Sequence, residues 1–183
     1  MYLKPVNFIA FQFGWLACVL GGAHGWPWLG VALSLPILTW HFIQAESVWR
    51  EACLLMLIAV SGGMLDQCLL GLGLVGYPGA NGPVQWLPPW MWMLWMLFAS
   101  TLNVSLRWLR KGPQIGALLG FLGGPLAYWG ASRLGAVDLL GGAATLAAIG
   151  LVWAAAVPAM IWLSRRLDGY AGLDSSHEGL SHV

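Results

Sequence analysis

Residues 89–106, Pro-Trp-Met-Trp-Met-Leu-Trp-Met-Leu-Phe-Ala-Ser-Thr-Leu-Asn-Val-Ser-Leu, contain no Asp, Glu, Lys or Arg. The chain then turns abruptly basic at Arg107, Arg110 and Lys111 and meets the helix breakers Gly112 and Pro113. The run is apolar on every face, so it lacks the alternation of a barrel strand. It is also too long for a strand in a soluble sheet. It fits a helix in hydrocarbon, where about 17 to 25 apolar residues cross a core of about 30 Å. The basic flank stops it at the water interface.

Working outward, charges and Gly/Pro clusters cut the chain into six such pieces, at about 6–20, 26–43, 52–76, 89–106, 114–131 and 139–163. Lipid leaves no partner for free backbone groups, so each piece is predicted to be a helix. The fold class is an all-α, six-helix transmembrane bundle over residues 1–163. A polar tail, 164–183, is expected to be disordered beyond Gly169. Residues 77–88 form an uncharged loop rich in Pro and Gly. Lys4, the first apolar run and Gly21-Gly22-Ala23 also fit a signal peptide loosely, but Asn7, Gln12 and Trp15 are foreign to one.

The composition agrees. Of 183 residues, 59% are hydrophobic and only 8% charged, against about 25% charged in a soluble domain. A net charge of +1 offers no basic footprint for nucleic acid. Lys4, Arg50, Arg107, Arg110, Lys111, Arg165 and Arg166 all fall on one side of a six-span topology, and only Arg133 on the other. The positive-inside rule then places both termini in the cytoplasm of a bacterial cell, with the bundle in its inner membrane. Trp26, Trp28, Trp86 and Trp90 are expected at the outer interface, Trp49 and Trp108 at the inner one.

In lipid, helices associate where small residues let backbones approach. Gly116, Gly120 and Gly124 form a doubled GxxxG stripe, and Ala10 and Gly14 share a face of the first helix. These faces serve packing within the bundle or docking of another membrane subunit.

A carboxylate within a span is costly, and such residues usually face the bundle interior and mark function. Asp66 is the clear case. Gly62 and Gly63 precede it on its face and leave room for a partner. Arg133, by its long stem, or Tyr128 is the expected contact. A second polar set, Asn7, Gln12, His41, Asn103 and Ser105, lies toward the cytoplasmic side and is read chiefly as holding helices together. Glu46, Arg50 and Glu51 are read as a solvated surface loop. No GxSxG or HExxH occurs, and Cys18, Cys53 and Cys68 show no metal or redox spacing, so no cofactor or metal is expected.

Four segments together carry a resemblance: Asn7-x3-Phe11-Gln12-x2-Trp15; Gly62-x3-Asp66; Pro89-Trp90-x3-Leu94-Trp95-x2-Phe98-x3-Leu102-x2-Ser105-x2-Trp108-Leu109; and Gly120-x3-Gly124-Pro125-Leu126-x-Tyr128, followed by Leu134-Gly135-Ala136. The chain resembles a bacterial inner-membrane family filed as domain of unknown function 2878. The resemblance implies a membrane location, a pointer toward lipids and no assigned reaction. It singles out Asn7, Gln12, Asp66, Ser105, Pro125 and Tyr128. The expected function is binding of, or an accessory role toward, a lipid or small hydrophobic molecule. A substrate-capture subunit of a vitamin-type transporter and an intramembrane enzyme acting on acyl chains are the alternatives.

Overall fold

The computed structural model describes residues 2–78 and 86–173. Among them are six α-helices: α1 Leu3–Ala23, α2 Pro27–Gln44, α3 Val48–Gly71, α4 Pro89–Leu102, α5 Pro113–Arg133 and α6 Ala143–Arg166. A short 3-10 helix, Arg107–Lys111, joins α4 to α5. Three of the helices, α1, α3 and α6, are long and apolar enough to cross a membrane by themselves.

Chain neighbours pack as antiparallel pairs, α1 with α2, α3 with α4 and α5 with α6. Of these, α4 is the central element, lying against α1, α2 and α3. At one end of the bundle, α1, α3 and α5 are followed by left-handed glycines, Gly25, Gly73 and Gly135. After α5, the Ala136 N–H returns to the Ala131 carbonyl at 2.9 Å, a bond that only a left-handed residue at Gly135 permits without strain. At the same end, two-residue strands β1 Val75–Gly76 and β2 Asp138–Leu139 pair antiparallel, Val75 opposite Leu139. This clasp ties the α3–α4 connection to the α5–α6 connection.

Small residues set the helix spacing. Gly116, Gly120 and Gly124 are buried and face Ile161, Val157 and Trp153 of α6. A Cβ at Gly120 would run into the Trp153 carbonyl oxygen. Gly14 is buried too, and a Cβ there would lie 2.7 Å from Leu97 Cδ1 of α4. Gly116, Gly120, Gly124 and Gly14 thus pack against the chain's own helices, as the first of the two readings of these faces expects.

Helix α3 ends at Gly71 rather than near 76 and α6 begins at Ala143 rather than near 139, and two further departures from expectation bear on the polar residues. First, α3 begins at Val48 rather than Ala52 and takes in Arg50 and Glu51. Second, α4 stops at Leu102 and spans about 21 Å at 1.5 Å per residue, because the chain turns through Asn103–Leu106. Trp26, Trp28 and Trp86 are exposed at one end, and Trp49 and Trp108 at the other. Trp90 is not at the surface: its ring is buried against Gly22.

Candidate functional site

Asp66 lies 18 residues into α3, about 27 Å from its start and close to the clasp end of the bundle, where β1 and β2 pair. Gly62 and Gly63 strip the preceding turn of side chains. The rings of Trp95 and Trp92, on the antiparallel α4, settle onto those bare positions. Trp95 is thereby held with its indole N–H 2.7 Å from Asp66 Oδ2. The Tyr128 hydroxyl, from α5, donates to Asp66 Oδ1. Both oxygens are bonded and the residue is 1% exposed. Trp95 stacks on Trp153 of α6, centroids 5.0 Å apart, so four helices meet around one carboxylate. Beside them is Tyr77, 6% exposed, its ring edge-on to Trp90 at 5.8 Å. Burial, and next the Asp66 charge, raise its phenol above the ordinary value. Its hydroxyl lies close to that of Tyr128, and Tyr77 is not among the residues that line the cavity described next.

A cavity of about 500 Å³ opens from this point. Its walls are Phe11 and Trp15 of α1, Leu94 and Phe98 of α4, Leu119 to Ala131 of α5, and Trp153 and Val157 of α6. Along α5 that is about 18 Å at 1.5 Å per residue, over half of a hydrocarbon core of about 30 Å. The lining is almost wholly apolar. Asp66 and Tyr128 supply a polar patch in it, with Trp90, Met91 and Val137 lining it further towards the clasp, and Gln12 of α1 adds one exposed amide.

A second polar centre sits at the opposite end. Glu51 is fully buried, with Oε2 2.9 Å from His41 Nε2. Its Oε1 accepts from Asn103 Nδ2 and, at 3.0 Å, from the Gly169 backbone N–H. The Tyr170 hydroxyl donates to the His41 carbonyl. Burial, and next the charge of Glu51, raise the Tyr170 phenol above its ordinary value. Asp168 receives Arg107 at 3.0 and 2.7 Å and Arg110 at 2.7 Å. Nearby, Asn7 donates to the Ser100 carbonyl at 3.3 Å and accepts from Ser105 at 2.7 Å, fastening α1 to the end of α4.

This centre corrects the reading of Glu51 as a solvated surface acid. Starting α3 at Val48 turns Glu51 inward, onto His41. It also shows that the tail docks as far as the described residues go: Tyr170 is 2% exposed, and residues 174–183 lie outside the described part. Burial alone would raise the carboxyl of Asp168, yet hydrogen bonds from Arg107, Arg110 and the Tyr170 N–H outweigh it and hold the group below its ordinary value. A lowered folded value stabilises the docked tail above the unfolded pKa of about 3.9. That contribution disappears as pH falls through the lower folded value. Hydrogen exchange across residues 167–173 should therefore stay slow from neutral pH down to about 4 and accelerate below it, after correction for intrinsic rates.

Of the residues picked from sequence, Asp66 and Tyr128 meet, as do Asn7 and Ser105. Asn103 joins the Glu51 centre, and Gln12 lines the cavity. Arg133 is the exception. It is exposed at the end of α5, and Asp66 takes its bonds from Trp95 and Tyr128 instead. Trp95 was missed as a site residue. The signal for it is an indole in a span, whose N–H needs an acceptor once buried. Asp168, Arg107, Arg110 and Tyr170 were missed because their contacts depend on the tail folding back.

No curated protein and no solved structure matches the chain. A family profile does match, over residues 4–159, and it takes in Asp66, Trp95, Tyr128 and every cavity wall. The chain belongs to the family described as Protein of unknown function (DUF2878).

Proposed function

We propose that this protein crosses the bacterial inner membrane six times, with both termini in the cytoplasm, and binds one long-chain lipid or similar hydrophobic molecule inside the bundle. Alternating helix directions and the gathering of Arg107, Arg110, Arg165 and the tail at one end support the orientation. The observation that carries the binding reading is the cavity itself. It is long and apolar, with a single hydrogen-bonded acid in its lining, the usual make-up of a site for a hydrophobic ligand with one polar group.

Gly123 supplies the test. It lines the cavity, and a Cβ there meets nothing within 4 Å. Gly123→Phe should fill the cavity without forcing helices apart. Gly71→Phe, equally open but outside the cavity, is the control. Native mass spectrometry of gently solubilised protein should show one long-chain adduct on the wild type and on Gly71→Phe, and a loss of about tenfold or more in occupancy on Gly123→Phe. Undiminished adduct on Gly123→Phe, or none on the wild type, would refute the proposal.

A further inference from the structure

Among the described residues, the cavity lining holds one formal charge, Asp66, and no Lys, Arg or His. Trp95 and Tyr128 already spend their protons on that carboxylate. A carboxylate has about four lone-pair positions, so each oxygen keeps one to offer. The polar patch therefore presents acceptors. An incoming carboxylate or phosphate would bring like charge against Asp66 in a dry site, without a basic residue in the lining to offset it. The cation on that end of α5, Arg133, is exposed outside the lining.

Resting on the chain-binding proposal above, we infer that the ligand's head is a hydrogen-bond donor, an alcohol or a protonated amine, seated on Asp66, and that fatty acids and phosphorylated amphiphiles are rejected. The cavity walls accept the chain, and the single acid selects the head. Discrimination of this kind comes from a repulsive element as much as from an attractive one.

Hexadecylamine, hexadecanol and hexadecanoic acid share a chain and differ in the head. Each is added to the full-length protein in detergent, and bound fractions are read by native mass spectrometry. The amine or the alcohol should bind at least about tenfold more tightly than the acid. In Asp66→Asn that preference should shrink to about threefold or less, and in Arg133→Gln it should persist. The wild-type order decides by itself if Asp66→Asn does not fold. Acid binding as tightly as the alcohol, or acid binding that vanishes in Arg133→Gln, overturns the head-group inference and leaves chain binding standing. Binding of none of the three overturns both.

Discussion

Glu51→Ala is expected to destabilise the protein by about 3–5 kcal/mol and to release the C-terminal tail. The size follows from what the carboxylate satisfies. His41, Asn103 and the Gly169 backbone N–H all converge on it in a site without exposure. Removing it leaves buried polar groups with nothing to bond, at about 1–3 kcal/mol each. The same change cuts the link between α3 and the tail, so Tyr170 loses its seat against His41. Thermal unfolding in detergent should show the loss, and limited proteolysis should cut near residues 167–173 at temperatures where the wild type resists. Glu46→Ala is the comparison. Glu46 also holds the tail, through the Gly172 N–H at 3.0 Å, but from an exposed position, so it should cost under about 0.5 kcal/mol. A Glu51→Ala protein that melts with the wild type would mean that this centre is dispensable.

Gly62→Leu should cost about 3 kcal/mol or more, for a different reason. A Cβ at that position falls within the Trp95 ring. The indole must leave, and with it goes the bond to Asp66 and the stack on Trp153. Overpacking alone costs about 1–3 kcal/mol, and the partly abandoned carboxylate adds about 1–3 more. Trp95→Phe separates the two contributions, since it keeps a ring on Gly62 and loses the N–H. It should therefore fall between Gly62→Leu and the wild type. Equal stability of Gly62→Leu and wild type would show that Trp95 does not lie on α3.

Much of the architecture was legible because its cause is local. Uncharged runs end at basic clusters, and Gly62, Gly63 and the 116–120–124 stripe announce close contacts. Asp66 stood out by its cost within a span, and Tyr128 was among its expected partners. What stayed hidden depends on contacts distant along the chain. Glu51 reads as a surface acid among Glu46 and Arg50, and its partners stand 10, 52 and 118 positions away. Its burial is decided by a helix start four residues earlier than the charge pattern implied, and by a tail whose polar composition suggests solvent. Arg133 erred the other way. Its charge made it the obvious match for Asp66, but a neutral phenol and an indole supply the hydrogen bonds and leave the guanidinium at the surface.

The most direct test is a cryo-EM map of the protein purified in nanodiscs of its own membrane lipid. Six membrane-crossing helices are expected, with one elongated density between α1 and α5 that runs past Gly123 and reaches Asp66, and with Trp95 and Tyr128 still on the carboxylate. Helices α1 and α5 closed against each other over an empty interior, or Asp66 turned out toward the bilayer, would contradict it.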